Sequence, residues 1–197
     1  KKFMKNIILI GAGGHARSCV DVIDSLNFFR VSLMVGKNDR NFKKINTVSE
    51  LKFLKNYKLK KKNLLISIGQ LKDGKIRKKI FDFYKSKGCN FPVIKSKTCY
   101  ISKNSKVDEG TIVMHKAFIN TNSHIGKNCI INNGAIIEHD VTVGNNVHIA
   151  PGAIILGGCT IKENSFIGSG SVLRENIVIK KKSFIKMGSI IKKWKLI

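Results

Sequence analysis

The sequence is short of acids, short of arginine and free of long apolar runs, and each shortage removes a class of protein. Twelve acidic residues stand against 37 basic ones, a formal net charge of +25. Such a balance first suggests a nucleic-acid binder. Yet only five of the 37 are arginine, at positions 17, 30, 40, 77 and 174. The lysines are scattered along the chain rather than gathered into one aromatic-interleaved patch. The excess therefore reads as solvated surface, with no nucleic-acid partner. Its modest use is attraction of small polyanions. No run of 18 apolar residues occurs, which excludes a membrane-inserted helix. The start is basic and then apolar, but it enters a glycine loop after Ile7 to Ala12. That is too short for a secretory signal, so a cytoplasmic chain is expected. The five cysteines, at 19, 89, 99, 129 and 159, are odd in number and show no CxxC spacing. They predict buried free thiols rather than disulfides or a zinc ribbon.

What is present is a period of six. Stepping by six from Ile101 to Ile191 gives sixteen positions, and all sixteen are Ile, Val or Leu. Four residues after each aliphatic the side chain is usually small: Ser105, Thr111, Ala117, Ser123, Cys129, Ala135, Ala153, Cys159, Ser165 and Ser171 among them. Val141, Val147 and Ile177 are exceptions. Gly, Asn, Asp and Lys fill the remaining places and suit corners. No helix has this period, and hairpins need longer spacing. One large and one small inward residue per hexad describes a parallel β-helix with three hexads per coil. Sixteen hexads make about five coils, a prism roughly 25 Å tall at the strand spacing. Cys129 and Cys159 then fall at inward positions, as core filler.

The first half alternates. A strand at Lys5–Ile10 leads into Gly11-Ala12-Gly13-Gly14-His15. A helix follows from Ala16 to Leu26, and a strand at Val31–Val35. A helix fits Val48 to Leu54, and a strand Leu64–Ile68 ends at Gly69. A basic amphipathic helix covers Ile76–Tyr84, and Phe91–Ile94 reads as a last strand. This predicts a small parallel sheet over residues 1–95, with the prism over 96–197. The loop presents backbone N–H groups and a helix N-terminus to an anion. It formally matches G-x-G-x-x-[G/A]. The strand that should end in an acid for NAD ends Val35-Gly36-Lys37-Asn38, with Asp39 further on, so a phosphorylated or uridine-type ligand is preferred to NAD. His15 stands at the mouth of this loop as a ligand contact.

The prism holds His115, His124, His139 and His148. None is 18 residues from another, so no pair stacks on one face and no metal is expected. Ile137-Glu138-His139-Asp140 is different, because it carries an imidazole between carboxylates. His139 falls at a corner, two residues after the inward Ile137. It suits a general base, with Asp140 holding its other ring nitrogen.

The hexads resemble those of the left-handed β-helix hexapeptide acyltransferases. Three stretches narrow the likeness: G-A-G-G-H, the Asn132–Asp140 sequence N-N-G-A-I-I-E-H-D, and the Val147–Ala153 sequence V-H-I-A-P-G-A. Together they resemble a PglD/NeuD-like subfamily of nucleotide-sugar N-acetyltransferases and sialic-acid O-acetyltransferases. That resemblance implies an α/β Rossmann-like domain before a left-handed parallel β-helix. It implies acetyl-CoA as co-substrate and a nucleotide-linked 4-amino-sugar as acceptor. It also implies a homotrimer with acetyl-CoA between neighbouring prisms. It assigns His139 as the base and Asp140 as its orienting acid. It gives His148, Gly157 and Ser169 to acetyl-CoA, and Gly13, Gly14, His15 and Gly69 to the sugar-nucleotide. O-acetylation of a sialic acid, or a non-catalytic nucleotide-sugar scaffold, are the alternatives. Two departures stand out. Relatives often carry an Asp pair where this chain has Val35-Gly36. They also often end in G-x-P-A-[KR], where this chain has Lys186-Met187-Gly188-Ser189 and a tail with Trp194.

Overall fold

The computed structural model describes residues 4–37, 42–70 and 73–192. Lys5–Ile10 forms β1, Gly14–Asp24 α1, Phe29–Val35 β2, Thr47–Val48 β3, Glu50–Asn56 α2, Leu64–Ile66 β4 and Lys75–Ser86 α3. The four strands make a parallel sheet in the order β3-β2-β1-β4. β1 and β4 are apolar almost throughout, as strands covered on both faces must be. α1 lays Ala16, Cys19, Val20 and Ile23 against one face of this sheet. Phe53 of α2 and Phe81 and Tyr84 of α3 cover the other.

Two expectations shift here. Thr47–Val48 joins the sheet although it is too short and polar to announce a strand. Ile94–Lys95 does not join it, and pairs instead with Ile112–Val113 as the first rung of the prism.

From there two-residue strands repeat every six residues, and each pairs with the strand 18 residues on. Ile130 faces His148, Ile136 faces Ile154, and Thr142 faces Thr160. Three parallel sheets of six, six and five strands form the three faces. The second residue of each strand points inward. From Val113 to Ile179 these aliphatics are fully buried or nearly so. The small residue four positions later completes the core. From Ser105 to Ser171, where it carries a hydroxyl or thiol, it donates to the carbonyl 15 residues ahead, as Ser123 does to Glu138, Cys129 to Gly144, Cys159 to Arg174 and Ser171 to Lys186. The two cysteines thus do a serine's work, and burial pushes the Cys129 thiol up to about 11, far from a nucleophilic thiolate.

The corners explain the rest of the hexad. Every sixth residue from Gly110 to Gly188 has positive φ. The non-glycine occupants are Asn, Asp or Lys. Asn and Asp tolerate this region best, because a short polar side chain bonds locally.

The three faces differ in what they present. The first, which begins at Ile94, turns Ile94, Ile112 and Ile130 into the α/β domain, where all three are buried. The second presents Tyr100, Phe118, Ile136, Ile154, Val172 and Ile190 outward, an unbroken apolar column. Tyr100 and Phe118 stack with ring centroids 5.0 Å apart. The third presents Lys106, His124, Thr142, Thr160 and Val178. Among the described residues, no helix is long and apolar enough to cross a membrane.

Candidate active site

His139 and Asp140 lie at the corner between the second and third faces, just after Ile136–Ile137 and before Thr142–Val143. Asp140 occupies the left-handed corner position, with φ of 60°. That conformation folds its carboxylate back, so Oδ2 accepts a hydrogen bond from His139 Nδ1 at 2.7 Å. The other oxygen, Oδ1, accepts from Asn122 Nδ2 at 2.5 Å, one coil below. These two donors hold the Asp140 carboxyl below the usual carboxylate range. Both ends of the pair are open to solvent, with His139 58% and Asp140 52% exposed. Glu138, beside them, accepts from Asn120. With Nδ1 committed to Asp140, Nε2 is the nitrogen left to take a proton.

Gly157 stands one coil above His139. A Cβ there would lie 2.6 Å from the ring Cε1 and 2.7 Å from Nε2. The missing side chain is what lets the imidazole lie flat against the next coil. Gly158 follows it in the left-handed corner position, where the Asn176 side chain fills the space a Cβ would need. Gly157 therefore sits with His139, whereas Ser169 lies on the corner between the first and second faces, bonded through its carbonyl to Gly188.

His148 stands elsewhere. It projects from the first face into the seam with the α/β domain and is 7% exposed. Its Nδ1 donates to the Gln70 carbonyl at 2.8 Å, and its Nε2 accepts from Asn132 Nδ2 at 3.1 Å. Phe166 meets it edge-on. Burial, with the Arg77 cation adding, holds its pKa down to about 4. Hence it is neutral.

His15 is drawn into the same seam. Burial first, then the nearby Arg77 and His148, lower it to about 3. Its Nε2 is buried without a hydrogen-bond partner, as is Gln70 Oε1. Gly69 lies against the His15 Cβ. Gly13 and Gly14 are exposed at the N-terminus of α1, and a Cβ on either would meet open space. So the structure brings Gly13, Gly14, His15, Gly69 and His148 to one place on the first face. It sets His139, Asp140 and Gly157 at the opposite corner of the triangle. The packed core, including Ile137 and Ile149, lies between.

Arg77 was not singled out by the sequence, since a lone arginine in a lysine-rich helix carries no signal. It is 1% exposed and, among the described residues, forms no ion pair with a carboxylate. Its guanidinium donates to the carbonyls of Ile66, Ile68 and Asn128 and to the Asn128 side chain. Asn128 continues to Asn146, and Gln70 donates to the Ser165 carbonyl. These bonds tie α3 and the end of β4 to one prism corner. His115, bonded to Ser96 and to Asp21 of α1, ties the other. Asp39 and Trp194 lie outside the described residues.

Residues 6–84 match the PglD N-terminal domain, and residues 122–157 match the bacterial transferase hexapeptide (six repeats). No curated protein matches the sequence. Among solved structures, the acetyltransferase domain of PglB from Neisseria gonorrhoeae FA1090 in complex with acetyl coenzyme A is 23% identical. The match covers 98% of this chain and 95% of that one, with a TM-score of 0.83. PerB from Caulobacter crescentus in complex with CoA and GDP-perosamine is 23% identical over 97% and 90%, with a TM-score of 0.87. WeeI from Acinetobacter baumannii AYE is 22% identical over 97% and 92%, with a TM-score of 0.83. The shared architecture is the left-handed β-helix behind a small α/β domain.

Proposed function

We propose that the chain, whose two segments match the PglD N-terminal domain and the bacterial transferase hexapeptide, is a PglD/NeuD-like acyltransferase that moves acetyl from acetyl-CoA to the 4-amino group of a nucleotide-linked sugar. The observation that carries the reading is the His139–Asp140–Asn122 hydrogen-bonded chain, with the imidazole lying against Gly157. The acceptor amine attacks the thioester carbonyl, and His139 Nε2 takes its proton. A C–N bond forms, the C–S bond breaks, and the imidazolium returns a proton to the departing thiolate. A positioned base contributes ~10²–10⁴-fold. Asp140 fixes the tautomer and stabilises the imidazolium. Coil N–H groups steady the oxyanion. Buried Cys129 and Cys159 offer no nucleophile, so transfer is direct.

The acceptor is held at the loop. Gly13 and Gly14 open the N-terminus of α1 to a pyrophosphate, and the unpartnered Nε2 of His15 finds its partner in the ligand. The excess of basic residues draws in both polyanionic substrates.

The working unit is a homotrimer. Within one chain the acceptor loop and His139 lie on opposite sides of a filled prism, so no substrate spans them. The apolar column from Tyr100 to Ile190 borders the His139 corner, and among the described residues nothing covers its exposed ends, Tyr100 and Ile190. Packing this column against a neighbour brings one protomer's His139 towards the next protomer's loop, His148 and Ser169, with acetyl-CoA between them. Two solved neighbours fit this reading: one holds acetyl coenzyme A, the other CoA with GDP-perosamine.

The test is thiol release from acetyl-CoA with a panel of UDP- and GDP-linked 4-amino-sugars and free sialic acids. Release with an amino-sugar nucleotide supports the proposal. Release only with sialic acids moves the chemistry to O-acetylation. No release, with acetyl-CoA bound, leaves a non-catalytic scaffold.

A further inference from the structure

A cavity of about 470 Å³ opens at the carboxyl ends of β1 and β2, next to the Gly13–His15 loop. Ala12, Leu51, Ile68 and Ile80 make its walls, and Lys37 and Glu50 are its charged side chains. Leu51 is 82% exposed at the rim, an apolar side chain with little to cover it. An apolar slot with a few fixed polar groups suits a flat heteroaromatic ring. Ala12 belongs both to the slot and to the loop, so a base in the slot puts its pyrophosphate at α1.

β2 cannot supply a carboxylate to this slot. Val35 points inward at 3% exposure. A Cβ on Gly36 would sit 2.9 Å from the Ala12 Cβ and 3.1 Å from the Ala12 nitrogen. The one carboxylate among the described lining residues comes from the start of α2 instead. Glu50 Oε1 accepts from the buried Tyr84 hydroxyl at 3.3 Å, which leaves Oε2 and one lone pair of Oε1 for a ligand.

An ionised carboxylate only accepts hydrogen bonds. Of the common bases, guanine alone offers two adjacent donors, N1–H and N2–H, to its two oxygens. The uracil N3–H sits between two carbonyls, whose lone pairs oppose a carboxylate. Adenine and cytosine place an acceptor beside their amino group. We infer that Glu50 reads the guanine edge, so that the acceptor is a sugar linked to guanosine diphosphate. This rests on the acceptor reading above and narrows it.

The experiment is calorimetric titration of the full chain with GDP, IDP, UDP and ADP, for wild type and Glu50→Gln, with acetyl-CoA as a fifth titrant. A hydrogen bond to a charged group is worth roughly ten- to a hundredfold in affinity. Wild type is expected to prefer GDP to UDP and ADP by at least about tenfold. IDP, which lacks the N2 amino group, should lose about tenfold. Glu50→Gln should weaken GDP towards UDP, leaving UDP and acetyl-CoA unchanged. Glu50 is exposed in the first turn of a short helix, so the substitution leaves the core intact. UDP binding as tightly as GDP, or a loss shared equally by all four nucleotides, overturns the inference and leaves the acceptor reading standing. Binding of acetyl-CoA without any nucleotide overturns both.

Discussion

Gly157→Ala separates a catalytic geometry from a merely exposed histidine. The added methyl would lie 2.6, 2.7 and 3.1 Å from Cε1, Nε2 and Nδ1 of His139. Carbon contacts settle near ~3.5 Å, so the ring must retreat by about 1 Å. A displacement of that size costs on the order of 10²-fold in rate. Stability should change little, by under ~0.5 kcal/mol. Gly157 has no left-handed φ to strain, and a ring already 58% exposed can swing into water. The assay is steady-state thiol release, with thermal unfolding alongside. A double-mutant cycle with His139→Ala decides the cause. If the methyl acts through the ring, it costs almost nothing once the ring is gone. Full activity in Gly157→Ala, or losses that add in the double variant, would refute the reasoning.

Asn122→Gly keeps the left-handed corner and removes the amide that holds Asp140. It should lower kcat about tenfold and move the acid limb of the pH–rate profile upward, since the lost donor was holding that carboxyl down. An unshifted limb sinks the relay. His148 is held at about 4 in the fold, against ~6.5 in the unfolded chain. Between those values the unfolded chain binds the extra proton. Its contribution is therefore complete above pH ~6.5 and drains as pH falls towards 4, by at most about 3 kcal/mol. Denaturant midpoints from pH 7.5 to 4.5 should fall more steeply for wild type than for His148→Gln, and parallel curves would contradict this. Ile154→Lys, in the middle of the apolar column, should convert trimers to monomers by light scattering and abolish turnover. An intact, active trimer would place the interface elsewhere.

The prism was legible because its rule is local. An inward aliphatic and a small partner recur at fixed spacing, and nothing competes with them over sixteen hexads. The corner residues Asn122 and Asp140 were visible as corner types, but not as a hydrogen-bonded pair. Their contact depends on stacking at 18, a relation that no single hexad displays. The α/β domain was read less finely. Thr47–Val48 is a strand only because β2 lies beside it, and Ile94–Lys95 left the small sheet because the prism offered a longer ladder. Arg77 was invisible for a tertiary reason: only the approach of Asn128 from the prism and the carbonyls after β4 make its burial tolerable. His139 stood out in sequence by its flanking carboxylates, but nothing local showed how far from His148, nine residues on, it would lie. Folding sends one into a dry seam and the other into solvent on the far corner, because nine residues is one and a half sides of a triangle.

That opposition gives the most direct test. His139→Ala and His15→Ala are each expected to be inactive alone, one lacking the base and the other the loop contact. When the two are co-expressed and assemble at random, about a quarter of the interfaces pair an intact His139 with a neighbour's intact His15. The account predicts thiol release from the mixture at about a quarter of the wild-type rate, with the single variants silent. A mixture as silent as its parents would mean that base and loop serve the same chain, and the shared site would be wrong.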